Sequence, residues 1–200
     1  MQEFKQFEEK YKTMYSIPNN VKHKIICFEF LTLLFINWYR TVSKTEKTAE
    51  EHLGKLMLMK LLFFTSAVGS NRNNNKGLLD IFDNFYTLPY GAIEKDVYDN
   101  LKYINCFTFK NNSIIEFKQP NVGYFDKISP ETKQELRDAV ERLKKENNEF
   151  VLMNGIDLVD LNHQWYSWKS SYKLAQSMKK NNIKIPNGLI LSEHKFYTLL

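Results

Sequence analysis

Apolar positions recur at helical spacing along most of this chain. Over residues 2–15, Phe4, Phe7 and Tyr11 alternate with Lys and Glu, the i, i+3, i+7 pattern of an amphipathic helix. Ile17-Pro18-Asn19-Asn20 ends that pattern, and Asn20 stands where it can cap the next helix. Residues 21–42 are apolar nearly all the way round, as expected at the centre of a helical bundle. After a polar connection at 43–47, a helix is expected over 48–68. Thr48 and Glu51 have capping-box spacing, Lys55 and Lys60 interrupt a heavy apolar block, and Gly69 suits the helix end.

Ser70 to Gly77 is a polar, Asn-rich run that cannot bury apolar surface and reads as a surface loop. Residues 78–86 resume the apolar pattern as a short helix. That helix enters the turn Pro89-Tyr90-Gly91, and a further helix follows over 94–101. Residues 106–118 change character. Two β-rich runs flank Asn111-Asn112, which tolerate left-handed turn angles, so a β-hairpin is expected. Helices are then expected over 129–148, with Pro130 at the first position, and over 156–161 and 165–180. A turn at Pro186-Asn187-Gly188 leads to a last apolar element over 189–200. The fold class is mainly α (α+β): a helical bundle of six to eight helices with one small β-hairpin at about 106–118. No repeat and no Pro/Gly/Ser-rich linker divides the chain, so residues 1–200 read as one domain with an N-terminal helical extension over about 1–45.

Composition supports this picture. The 200 residues are 43% hydrophobic, enough for a sizeable core, and only 7 Gly and 5 Pro leave room for long helices. The net charge of +5 is modest. Residues 1–100 carry 13 basic and 12 acidic side chains and residues 101–200 carry 15 and 11, so neither half has the dense basic stripe of a dedicated nucleic-acid binder. Two cysteines, Cys27 and Cys106, lie in apolar surroundings without Cys-x-x-Cys spacing and read as reduced thiols of a cytoplasmic protein. No basic-then-apolar leader opens the sequence, and the longest greasy run is too short and too interrupted for a membrane span.

Motifs of enzymes and metal sites are sparse. Walker, dinucleotide, His-Glu-x-x-His and Gly-x-Ser-x-Gly patterns are missing. His23 and Cys27 are four apart, but two ligands make no metal site. Asp160 and His163, three apart, would form the carboxylate–base pair of a small hydrolase, yet no nucleophile stands beside them. Imidazole also suits the fixing of a buried turn. Trp165 and Trp168 are neighbours on one helix face, and an exposed Trp would serve as a binding anchor. The basic residues of the helix over 129–148 are interleaved with acidic ones, the mark of a solvated face.

Several segments together resemble the Panacea, or SocA-like, antitoxin domain family. Lys60-Leu61-Leu62-Phe63-Phe64 is similar to its Lys-Leu-Leu-Tyr-Phe helix, and Phe85 to Gly91 with Val97, Tyr98 and Leu101 to its aromatic run, Tyr-Gly-Pro turn and following helix. His163 with Trp168 five residues on resembles its C-terminal His…Trp segment. The similarity covers about residues 50–180. Thr65-Ser66 stand where the family usually has Ala-Asp, and Ala92 replaces its proline. The resemblance implies a non-enzymatic, cytoplasmic antitoxin that binds a co-encoded protein toxin directly; some members act as protease adaptors. It implies no cofactor, metal or membrane. Lys60, Pro89, Tyr90, Gly91, His163 and Trp168 are the motif positions, and Tyr86, Trp165 and Tyr166 are candidate partner-binding aromatics. The alternatives are a nucleic-acid-binding regulator of a phage or mobile element, and a hydrolase using His163 and Asp160.

Overall fold

The chain is mainly helical. A computed structural model describes residues 17–73, 75–111, 114–118 and 120–199; the helix expected over 2–15 lies outside them. The helices are α1 (Asn19–Val42), α2 (Ala49–His52), α3 (Lys55–Ala67), α4 (Lys95–Asp99), α5 (Pro130–Glu146), α6 (Gly155–Gln164), α7 (Tyr166–Ser177) and α8 (Asn187–Ser192). Two antiparallel hairpins complete the fold: β1 (Phe85–Leu88) with β2 (Gly91–Glu94), and β3 (Phe107–Lys110) with β4 (Ile114–Phe117).

α1 and α3 form the centre because both are apolar on more than one face. α3 is buried at every position from Met57 to Ala67. α1 packs on α2, α4 and α5, and α3 on β2, α5 and α6. Phe63 and Phe64 of α3 meet Trp165 edge to face at 5.4 and 5.2 Å, and Phe63 meets Phe85 at 5.2 Å, the arrangement the ring quadrupole favours. α1 is the one described helix long and apolar enough to cross a membrane. Its buried Lys24 and Glu29 are both partnered by protein groups, as in a core helix.

Glu29 is fully buried and accepts the backbone N–H groups of Asn105 and Cys106 (2.5 and 2.8 Å) and the Tyr124 hydroxyl (2.5 Å), which fixes the entry to β3. This hairpin falls where the β-rich runs place it, and Asn111 takes φ 52 at its tip. Both cysteines are buried free thiols, pushed up by burial, Cys27 to about 12.

Three expectations need correction. The capping box of Thr48 and Glu51 is present, but it caps only the four-residue α2. Gly54 is extended (ψ 176) and starts α3 separately, so one expected helix is two. Residues 78–86 are not a helix: turns over 77–82 lead into β1. The reason is long-range. β1 pairs with β2 on one side, and on the other Thr87 donates to Ile183 O (3.0 Å) while Ile185 donates to Phe85 O (2.8 Å). The turn expected at Pro89-Tyr90-Gly91 is therefore the tip of a hairpin rather than a link between two helices. Trp165 is not within the last long helix; with ψ 131 it is the extended corner between α6 and α7.

Lys24 joins α1 to the base of this hairpin. Its ammonium lies 2.6 Å from Asp83, 2.8 Å from the fully buried Glu94 and 2.6 Å from Asp96. Burial opposes the lysine charge, but the three carboxylates outweigh it and hold the group above its ordinary value. Glu94 also caps α4 by accepting Val97 N–H (2.8 Å). Lys24→Met leaves this buried carboxylate without its cation. The expected loss in urea unfolding is about 3–5 kcal/mol, and a loss under ~1 kcal/mol would contradict the role given to Lys24.

Candidate functional site

The tip of the first hairpin brings the motif positions together. β2 has a partner only on the β1 side, so Ala92 presents an N–H and a C=O to the interior of the bundle, where they must find partners. Lys60, in the middle of the buried α3, donates to Ala92 O at 2.7 Å. Asn162 of α6 accepts Ala92 N–H through Oδ1 at 2.5 Å. One residue further on, His163 Nε2 lies 3.0 Å from Pro89 O. A carbonyl only accepts, so Nε2 carries the proton. Trp168 of α7 donates Nε1–H to Leu88 O at 3.2 Å. Its ring stacks on His163 (3.9 Å between centroids) and on Tyr172 (4.7 Å). Four side chains from three helices thus hold four backbone groups of Leu88, Pro89 and Ala92, at and beside a two-residue turn.

Glycine at 91 follows from the same geometry. Its φ is 88, and a Cβ there would collide with Asn162 Oδ1 and lie 2.6 Å from Lys60 Nζ. Lys60 is fully buried, and no carboxylate pairs with it among the described residues. Burial holds its ammonium down to about 7. Burial also lowers His163, against the bond to Pro89 O, and the Lys60 charge pushes the same way. The imidazole is therefore a neutral donor near neutral pH.

Asp160 is exposed and shares no hydrogen bond with His163 among the described residues; it acts on the ring only through its charge. Trp165 is fully buried against Phe63 and Phe64, and its Nε1–H donates to Phe196 O at 3.1 Å. It is unavailable as a contact anchor, a correction to the expectation drawn from its spacing. Tyr86 is half-buried with Lys95 Nζ 6.0 Å from its ring, and Tyr166 is 63% exposed. Asn162 carried no sequence signal: a single amide beside Leu161 gives no periodicity. Asp83, Glu94 and Asp96 come close enough together to hold a cation, and the Lys24 ammonium is that cation.

Tyr90, at the tip, is 66% exposed. Beside it lies a groove of about 390 Å³ lined by Leu56, Met59, Leu88, Ile93 and Tyr98, with Lys55 at its edge. No family model, curated protein or solved structure matches the chain.

Two outcomes test the clamp. His163→Ala removes one of the four bonds and the ring stacked on Trp168, while water can reach the exposed Pro89 O, so it should lower the unfolding free energy by about 0.5–1.5 kcal/mol; an unchanged melting temperature would contradict this. Lys60 gives a pH signature. Above 10.5 both folded and unfolded chains hold it neutral; as pH falls the unfolded chain takes up a proton that the folded chain resists until about 7. Stability relative to Lys60→Met should therefore decline by about 1.4 kcal/mol per unit as pH falls through that window, and level off below it. Urea titrations of both proteins between pH 6 and 10 measure the difference; a pH-independent difference would refute it.

Proposed function

We propose that this chain is a cytoplasmic antitoxin-like protein that neutralises a toxin encoded beside it by binding the toxin directly, and that it is not an enzyme. The family resemblance suggests this reading, and one observation supports it. Lys60, Pro89, Gly91, His163 and Trp168 come from distant parts of the sequence yet belong to one hydrogen-bonded cluster. Their polar groups are spent on the backbone of a turn, so none is left poised over a substrate. What the cluster delivers to solvent is Tyr90 and an apolar groove, the parts of a protein-binding surface.

The departure at position 92 has a physical counterpart. Ala92 stands where the resembled family usually has proline, and its N–H is the donor to Asn162. Proline has no N–H, so the Asn162 contact is available to this chain because of the replacement. Delivery of the bound toxin to a protease is a further role that fits the same reading. Co-expression with the product of the adjacent open reading frame tests it. Relief of that product's toxicity, with co-purification of the two chains, is the expected result. If no neighbouring product is toxic, or none is relieved and retained, the reading fails.

A further inference from the structure

We infer that the groove beside Tyr90 is the partner-contact surface, and that it receives an apolar side chain of the partner flanked by a carboxylate. This rests on the antitoxin reading above and specifies where and how the partner is held. The floor is apolar and built from three elements: Leu56 and Met59 of α3, Leu88 and Ile93 of the hairpin, and Tyr98 of α4. Its size falls in the range of sites that take one or two side chains or a small ligand. Tyr90 stands at its edge, and an exposed tyrosine on a fixed backbone can bury much area on binding while losing little freedom.

Charge decides the chemistry of the occupant. Among the described residues, Lys55 is the one charged residue lining the groove. Its ammonium sits 4.6 Å from the centre of the Tyr98 ring, and no carboxylate is paired with it among the described residues. Two other lysines near this hairpin are engaged with acids, Lys24 with three carboxylates and Lys95 with Asp99, and the buried Lys60 is spent on Ala92 O. A partner carboxylate entering over an apolar contact would meet a cation that needs no competing pair broken. A second exposed apolar surface, Tyr166 and Leu174 of α7 with Met178 just beyond its end, also has exposed lysines beside it, Lys169 and Lys173, but none of its residues lines this groove, so it serves as the comparison.

The test uses the purified product of the adjacent open reading frame and titrates it against the full chain and its variants by calorimetry. Tyr90→Ala and Lys55→Glu should each weaken binding by about tenfold or more, with melting temperatures near wild type. Tyr166→Ala should bind as wild type. Charge reversal of the partner's contacting carboxylate to lysine should restore binding to Lys55→Glu. Both groove variants binding within about twofold of wild type overturns the groove, as does loss of binding with Tyr166→Ala alone. A wild-type chain that does not bind the neighbouring product overturns the antitoxin reading and this inference together.

Discussion

An amine buried without a counter-ion among the described residues is the constraint on which this part of the fold depends. Lys60 lies in the buried middle of a largely apolar helix, so unfolding would return its charge to water and folding must accommodate it as it is. Its hydrogen bond to Ala92 O makes burial tolerable, and that bond has consequences for neighbours. It requires a strand whose carbonyl points into the bundle. It requires the backbone at residue 91 to pass so close to the ammonium that only glycine fits. It requires a second side chain, Asn162, for the N–H of the same residue. The turn, the glycine and the amide are parts of one solution to one buried nitrogen.

A second lysine holds the same hairpin by opposite means. Lys24 is surrounded by Asp83, Glu94 and Asp96 at the base of β2, and its charge is retained. Lys60 meets a neutral carbonyl near the tip, and its charge is disfavoured. Glu94 and Ala92 are two residues apart, so both bind side-chain or backbone groups of one short strand. Four-residue strands are too short to be stable alone. Attachment to α1 at one end and to α3 and α6 at the other makes this hairpin a rigid part of the bundle.

The contrast between the two hairpins explains what could be read from residue order. The hairpin at Phe107–Phe117 was legible because its determinants are local: alternating aromatic and β-branched residues around an Asn-rich turn. The hairpin at Phe85–Glu94 was not. Its strands are short, one contains Gly91 and Ala92, and β1 is completed by Ile183 and Ile185 some hundred positions away in the chain. No window over residues 78–94 contains that information, so an apolar run before a proline resembled a helix. Lys60 read as an interruption of an apolar block for a similar reason: a polar residue at a core position announces burial only when its partner is known. The ring chemistry of His163 allows a hydrogen bond to a turn carbonyl, and Pro89 O lies 3.0 Å from its Nε2. Asn162 beside it was missed because its role depends on a backbone N–H seventy residues earlier. Trp165 misled because three-residue spacing implies a shared helix face only if the helix is continuous, and the chain is extended at that residue.

The placement of exposed and buried aromatics bears on what the molecule offers to others. Trp165, Phe63 and Phe64 are consumed by the core, and Trp168 by the clamp, where stacking and one hydrogen bond use both of its faces and its only donor. Tyr90 is different. Every side-chain contact that fixes the tip is made to main-chain atoms of Leu88, Pro89 and Ala92, so the tyrosine ring takes no part in holding its own backbone. A side chain that the fold does not need, on a backbone that the fold holds at four points, can be changed to suit a partner without cost to stability. On the binding reading proposed above, that separation makes the buried half of the motif a scaffold and leaves partner choice to the ring and the groove beside it.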